Sequence, residues 1–196
     1  MIVGLTGGIG SGKTTVVNFF KEFANIAVYI ADIEAIKLMN SSEIIKSKLI
    51  KAFGKNSYKN NALNRSFIAD IVFKDKEQLK ILNSIVHPEV GTHFQEFVLK
   101  NTHKNYVLYE TAILFENTSN LFCDFIITVT APLDTRIQRV ILRDNTTQKA
   151  VLNRINNQWK EDKKILQSHY IIHNISLKNT KSQVNDIHNI LTVKQR

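Results

Sequence analysis

Residues Gly7 to Thr14 read Gly-Gly-Ile-Gly-Ser-Gly-Lys-Thr and follow directly on the apolar run Ile2-Val3-Gly4-Leu5-Thr6. This is the G-x-x-x-x-G-K-[ST] spacing of a phosphate-binding loop, set between a strand and a helix. A chain that wraps a phosphate turns its backbone N–H groups inward and needs φ values that a Cβ forbids, hence the glycines. The following helix, expected over Lys13 to Phe23, points its positive end at the same anion. Gly10, Ser11, Gly12, Lys13, Thr14 and Thr15 are therefore the expected nucleotide contacts. The Lys13 ammonium serves the β- and γ-phosphates, and the Thr14 hydroxyl is placed for Mg²⁺.

Phosphoryl transfer to a hydroxyl also needs an acceptor for the hydroxyl proton and further positive charge. Asp32 directly follows the second apolar run. It is a candidate general base, or a holder of Mg²⁺ through water, or a cap of the helix that follows. Glu110 ends a third run and has two readings, a water-mediated Mg²⁺ contact or a helix cap or ion pair. Four of the six arginines, Arg136, Arg139, Arg143 and Arg154, fall in one short stretch, whereas lysines are scattered. A planar guanidinium fork suits phosphate, so this stretch reads as a lid over the nucleotide, with surface ion pairs as the plain alternative. His87 precedes Pro88 and reads as a turn histidine or a ligand contact. Glu116, Asp124 and Trp159 read as structural, and no His/Cys/Asp/Glu spacing suggests zinc.

The elements that must position these groups alternate strand with helix. Apolar, β-branched runs at Ile2–Thr6, Ile26–Ala31, Tyr106–Glu110, Phe125–Thr130 and Tyr170–His173 are those of a parallel sheet buried on both faces. The expected fold is α/β, a P-loop kinase with a doubly wound five-stranded parallel sheet, a helical lid at about 136–165, and ligands outside the carboxyl ends of the strands. Residues 1–35 and 103–196 would form the nucleotide core. Residues 36–102 read as a helical substrate-binding insertion, helical throughout. In it Ile44, Leu49, Ile50 and Phe53 form a stripe ended by Gly54, Asp75 with Gln78 forms a capping box, and His87-Pro88 breaks a longer run.

With 43% hydrophobic and 22% charged residues, the composition is that of a globular protein, and no stretch approaches the ~20 apolar residues of a membrane span. The lone Cys123 excludes an internal disulfide, and the whole pattern suggests a cytoplasmic protein. The net charge of +9 attracts nucleic acid, acidic lipid or phosphorylated small molecules, and the loop favours the last. No guanine-reading motif or concentrated basic face supports a switch protein or a nucleic-acid binder.

The chain resembles the dephospho-coenzyme A kinase family over nearly its whole length. The opening Gly4 to Thr15, Ala31-Asp32, Leu63-Asn64-Arg65, Ile71-Val72-Phe73, His87-Pro88, Leu114-Phe115-Glu116, Arg139-x-x-x-Arg143-Asp144, Arg154-Ile155-x-x-Gln158 and Ile172-His173-Asn174 carry the resemblance. It departs at Ile30, where the family often has Asp, at Ala112, usually Pro, and at Ile175, commonly Gly. The resemblance implies transfer of the γ-phosphate of MgATP to the ribose 3′-hydroxyl of dephospho-CoA. It makes Asp32 the base, has Lys13 and Arg139 stabilise the moving phosphoryl, sets Arg143 and Asn174 at ATP, and puts Thr6, Arg65 and His87 toward dephospho-CoA. Small-molecule substrates, no nucleic acid or membrane, and a monomer or weak homo-oligomer are the expected partners. The alternative is a sister kinase for nucleoside monophosphates or shikimate, which needs several acceptor-binding arginines where this insertion has Arg65 alone.

Overall fold

The computed structural model describes residues 1–193. The chain divides into two compact units, one of Met1–Tyr29 and the chain from Asn101 on, the other of Ile30–Lys100. Strand β1 (Ile2–Gly7) runs into helix α1 (Lys13–Phe20), and β2 (Ile26–Ile30) follows. The second unit then contributes α2 (Ala31–Ser41), α3 (Glu43–Phe53), a hairpin of β3 (Tyr58–Lys59) and β4 (Ala62–Leu63), α4 (Arg65–Val72) and α5 (Lys76–Lys100). The first unit resumes with β5 (Tyr106–Glu110), β6 (Phe125–Thr130), α6 (Leu133–Asp144), α7 (Gln148–Asn156), α8 (Glu161–Leu166), β7 (Tyr170–His173) and α9 (Leu177–Val193).

The main sheet has the order β2-β5-β1-β6-β7, with β1 parallel to both β5 and β6 and β6 parallel to β7. Val3, Leu5, Leu108, Ile127, Val129 and Ile172 are fully buried, as strands covered on both faces require. Central β1 has β5 on one side and β6 on the other, so its carboxyl end opens at the point where the strand order reverses. In such sheets that point is where ligands bind. Helix α9 is fastened to the turn that ends α1. The Phe23 ring stacks on His188 at 3.7 Å, and Lys181 pairs with Glu22 at 2.8 Å. The α6–α7 segment has its own small core of Ile137, Val140 and Val151, and Ile9 of the loop after β1 packs into it.

In the second unit Ser42 caps α3, its hydroxyl accepting from the Ile45 N–H, and Asn64 caps α4 in the same way toward Phe67. Asp75 caps α5 by accepting from the Glu77 N–H at 2.8 Å. Several local expectations are corrected here. The unit is not helical throughout: Asn60 and Asn61 hold φ of 50° and 64°, the left-handed pair that a two-residue hairpin loop demands. Pro88 does not end a helix but lies inside α5. Its missing N–H and ring clash cost about 3 kcal/mol, and Val86, Val90 and Phe94, buried along one face, offset that cost. The α3 stripe is Ile45 and Leu49, with Ile44 exposed. α1 stops at Phe20 rather than Phe23, and β2 at Ile30.

Candidate active site

Five residues, Gly8 to Gly12, join β1 to α1, and their geometry is dictated by what presses against them. Gly10 holds φ 78°, and a Cβ there would lie 2.4 Å from the Arg136 carbonyl oxygen. Gly12 holds φ 91° as the N-cap of α1, and a Cβ there would lie 1.8 Å from Asn174 Nδ2. Both positions accept only glycine. The Ser11 N–H closes a turn onto the Gly8 carbonyl at 3.1 Å, and Lys13 Nζ donates to the Gly7 carbonyl at 3.0 Å, folding the ammonium back over the loop. No side chain caps α1, and its first turn carries no acidic residue. First-turn N–H groups lack intrahelical partners, so this end is built to receive an anion. The Thr14 hydroxyl sits in that turn on an exposed residue.

The loop is held by side chains from far along the chain. Arg136, 4% exposed, donates from Nε to the Ile9 carbonyl at 2.9 Å and from Nη1 to Glu161 at 2.7 Å. The Ile9 N–H donates to Gln158 Oε1 at 2.9 Å. Asn174, also buried, donates from Nδ2 to the Ser11 carbonyl at 2.9 Å, and its own carbonyl accepts from Arg139 Nη2 at 3.0 Å. The other nitrogen of that guanidinium, Nη1, is buried without a hydrogen-bond partner and lies 3.7 Å from the Cβ position of Gly12. A buried, charged donor costs free energy until something fills it. One half of Arg139 is thus anchored and the other half is aimed at the phosphate loop.

The arginine stretch therefore resolves into three jobs. Arg136 is a loop strut, Arg139 presents an open donor, and Arg143 and Arg154 both bind Asp144, at 2.7 and 2.8 Å. Hydrogen bonds from Arg143, and then from Arg154, hold the Asp144 carboxyl down at about 2. Arg143 is exposed and engaged with its neighbour rather than with the loop.

The segment after β5 is organised around a buried ion pair. Lys164, fully buried, donates to the Ala112 carbonyl at 3.0 Å and pairs with Glu116 at 2.8 Å. Burial raises the Glu116 pKa, but the Lys164 hydrogen bond and the Trp159 N–H outweigh it and hold the carboxyl below its usual range. Trp159 stacks on Phe115 at 5.6 Å, with Lys163 Nζ 3.4 Å above the ring centre. Thr6 is buried in β1, its hydroxyl 3.5 Å from the Ala112 carbonyl. Glu110 is buried at the end of β5, in register with Leu5.

A profile of the dephospho-CoA kinase family matches residues 1–179. The dephospho-CoA kinase of Fusobacterium nucleatum is 33% identical over 177 residues, which cover 90% of this chain and 90% of that one. The chain belongs to the dephospho-CoA kinase family. A crystal structure of a Thermus thermophilus protein superposes with a TM-score of 0.86 at 28% identity, covering 97% of this chain and 96% of that one. Campylobacter jejuni dephospho-CoA kinase shares the fold, with a TM-score of 0.65 at 22% identity and the same coverage, 97% and 96%.

In this member of the family, the loop residues, Arg139 and Asn174 come together within the first unit. Asp32, Arg65 and His87 lie on α2, α4 and α5 of the second unit, all three exposed. Asp32 is not the cap of α2. The N-cap is Ile30, and Asp32 stands in the first turn, where a carboxylate suits the helix dipole. Sequence reasoning placed Gln158 in a lid motif but missed its bond to the loop, and it missed Glu161 and the structural use of Arg136. The only local signal was their density in a basic stretch that also holds Glu161 and Asp162.

Proposed function

We propose that this chain transfers the γ-phosphate of MgATP to the ribose 3′-hydroxyl of dephospho-CoA, giving CoA and ADP, the last step of coenzyme A biosynthesis. Membership of the dephospho-CoA kinase family carries the substrate; the loop carries the nucleotide. The observation that bears most weight is the open Nη1 of Arg139 beside Gly12, a donor waiting for phosphate oxygen.

In this reading the backbone of Gly10 to Thr15 cradles the β- and γ-phosphates, and Lys13 swings from the Gly7 carbonyl onto them. Arg139 bonds the transferring phosphoryl while its other nitrogen stays on Asn174. Asp32 takes the proton of the attacking hydroxyl, and its exposed carboxylate is accessible to a bound sugar. Arg65 and His87 contact dephospho-CoA, Thr6 shapes the substrate side, and Arg143 and Asn174 serve ATP, Asn174 by holding the loop.

The residues fit magnesium in the manner that ion prefers. The exposed Thr14 hydroxyl stands in the uncapped first turn of α1, beside the loop that would hold the phosphates, and Mg²⁺ is commonly held by substrate phosphates with few protein ligands. Thr14 would be its direct ligand, with Asp32 and Glu110 reached through water. When bound, the ion neutralises charge on the β- and γ-oxygens. Among the described residues no helix is long and apolar enough to cross a membrane. We place the enzyme in the cytoplasm as a monomer or weak homo-oligomer.

The test is ADP release from MgATP by the pure protein with dephospho-CoA, AMP, CMP or shikimate as acceptor. Turnover with dephospho-CoA alone is the expected result. Preference for a nucleoside monophosphate or shikimate would replace this substrate with a sister kinase's.

A further inference from the structure

The residue that holds the phosphate loop is itself held. Asn174 Nδ2 must face the Ser11 carbonyl, since that oxygen can only accept, and Asn174 Oδ1 is then left pointing into the protein. There it meets Thr180, whose single hydroxyl proton is shared between Asn174 Oδ1 at 3.0 Å and the i−4 carbonyl of Ser176 at 2.8 Å. Thr180 is fully buried, and it occupies the apolar stripe of α9 with Val184, Ile187 and Leu191. Packing alone asks for an aliphatic side chain at that position. A hydroxyl can be buried there because it bonds the i−4 carbonyl, and it also reaches Asn174 Oδ1, a buried acceptor outside the helix.

One turn further along the same face, Gln183 accepts from the His173 N–H at 2.9 Å and donates to the His173 carbonyl at 3.1 Å. Helix α9 thus grips both residues of the His173-Asn174 pair. Because α9 is bolted through Lys181–Glu22 and the Phe23–His188 stack to the turn that ends α1, these grips are referenced to the segment that follows the phosphate loop.

We propose that Thr180 is a positioning residue for ATP. By fixing the Asn174 side-chain amide, it sets the height of the Ser11–Gly12 backbone. The proposal rests on the reading of this loop as the ATP site. It does not depend on the identity of the acceptor.

Thr180→Val keeps the shape and removes the donor. It leaves Asn174 Oδ1 buried without a partner, and the amide gains freedom to turn off Ser11. The affinity of the folded protein for MgATP, measured by calorimetry without acceptor, should fall roughly tenfold, while Thr180→Ser should stay close to wild type. In an Asn174→Ala background, Thr180→Val should add nothing further, because the residue acts through Asn174. A purely structural role would shift the melting temperature and leave MgATP affinity untouched. The proposal is overturned if Thr180→Val binds MgATP as tightly as wild type, or if its loss recurs in full on Asn174→Ala. Thr180→Ala makes the same comparison where the valine variant does not fold. A wild type that binds MgATP yet turns over no dephospho-CoA contradicts the assigned acceptor alone, and the affinities still judge Thr180.

Discussion

Replacing Lys164 by Met should cost the fold about 3 kcal/mol, the lower end of the range for breaking a buried ion pair. The Lys164 side chain is 1% exposed and the Glu116 side chain 17%, so the lysine is almost wholly desolvated and the glutamate keeps some contact with water. Removing the lysine strands a carboxylate that the backbone N–H groups of Trp159 and of Glu116 itself cannot neutralise, and takes the donor from the Ala112 carbonyl. Glu116→Gln should cost a similar amount, because it leaves an ammonium in the core. Changing both to Met removes both charges at once. What then remains is the Trp159 N–H and the Ala112 carbonyl without their partners, about 1 kcal/mol each. Glu116→Met strands the same ammonium, so the double variant should be less destabilised than the sum of its two Met singles by several kcal/mol. At 2–4 °C per kcal/mol for a chain of this size, each single variant should melt roughly 6–12 °C early. Trp159, the sole tryptophan, stacks on Phe115 beside the pair and reports the loss by fluorescence in thermal and denaturant unfolding. The pair also sets an acid limit. The Glu116 carboxyl is held below its usual value in the fold, so its stabilisation is complete above about pH 4.3 and fades as pH falls through the lower folded value. Glu116→Gln should remove that part of the acid slope. Single variants that lose under about 1 kcal/mol would mean that the pair behaves as an exposed one and that Lys164 is hydrated.

Three further outcomes concern the chemistry. Arg139→Lys should lower kcat by about a hundredfold, since an ammonium cannot hold the Asn174 carbonyl and a phosphoryl oxygen together; steady-state rates near wild type would make this arginine a loop strut only. Asp32→Asn should reduce kcat far more than MgATP affinity, and equal losses in turnover and calorimetric affinity would show that Asp32 chiefly organises the nucleotide. Lys13→Ala should abolish most transfer while circular dichroism and melting stay near wild type, and retained turnover would remove Lys13 from the mechanism.

The sheet was legible because each central strand is covered on both faces and so leaves a continuous apolar run. Tyr106–Glu110 and Phe125–Thr130 lie where those runs stand, and the edge strand Tyr170–His173 also has the expected bounds although only Ile172 is buried in it. The phosphate loop was legible because its geometry is written in consecutive residues. The second unit was harder to read. Pro88 is a strong local breaker, yet burial of Val86, Val90 and Phe94 carries α5 past it. The Asn60-Asn61 turn was a hairpin signal of the kind that two consecutive left-handed residues give, hidden among helical patterns. Least legible was the clamp on the loop. Asn174 reaches Ser11 across 163 positions, and Gln158 reaches Ile9 across 149. No spacing rule links residues so far apart, and Arg136 and Arg139 look alike until burial separates a strut from an open donor.

The most direct measurement is the position of the new phosphate. Pure protein, MgATP and dephospho-CoA are incubated, and the products are analysed by phosphorus NMR and mass spectrometry. CoA phosphorylated at the ribose 3′-oxygen, formed one for one with ADP, is the expected product. A phosphate at any other oxygen, or ADP released while dephospho-CoA stays unchanged, would contradict the proposed transfer.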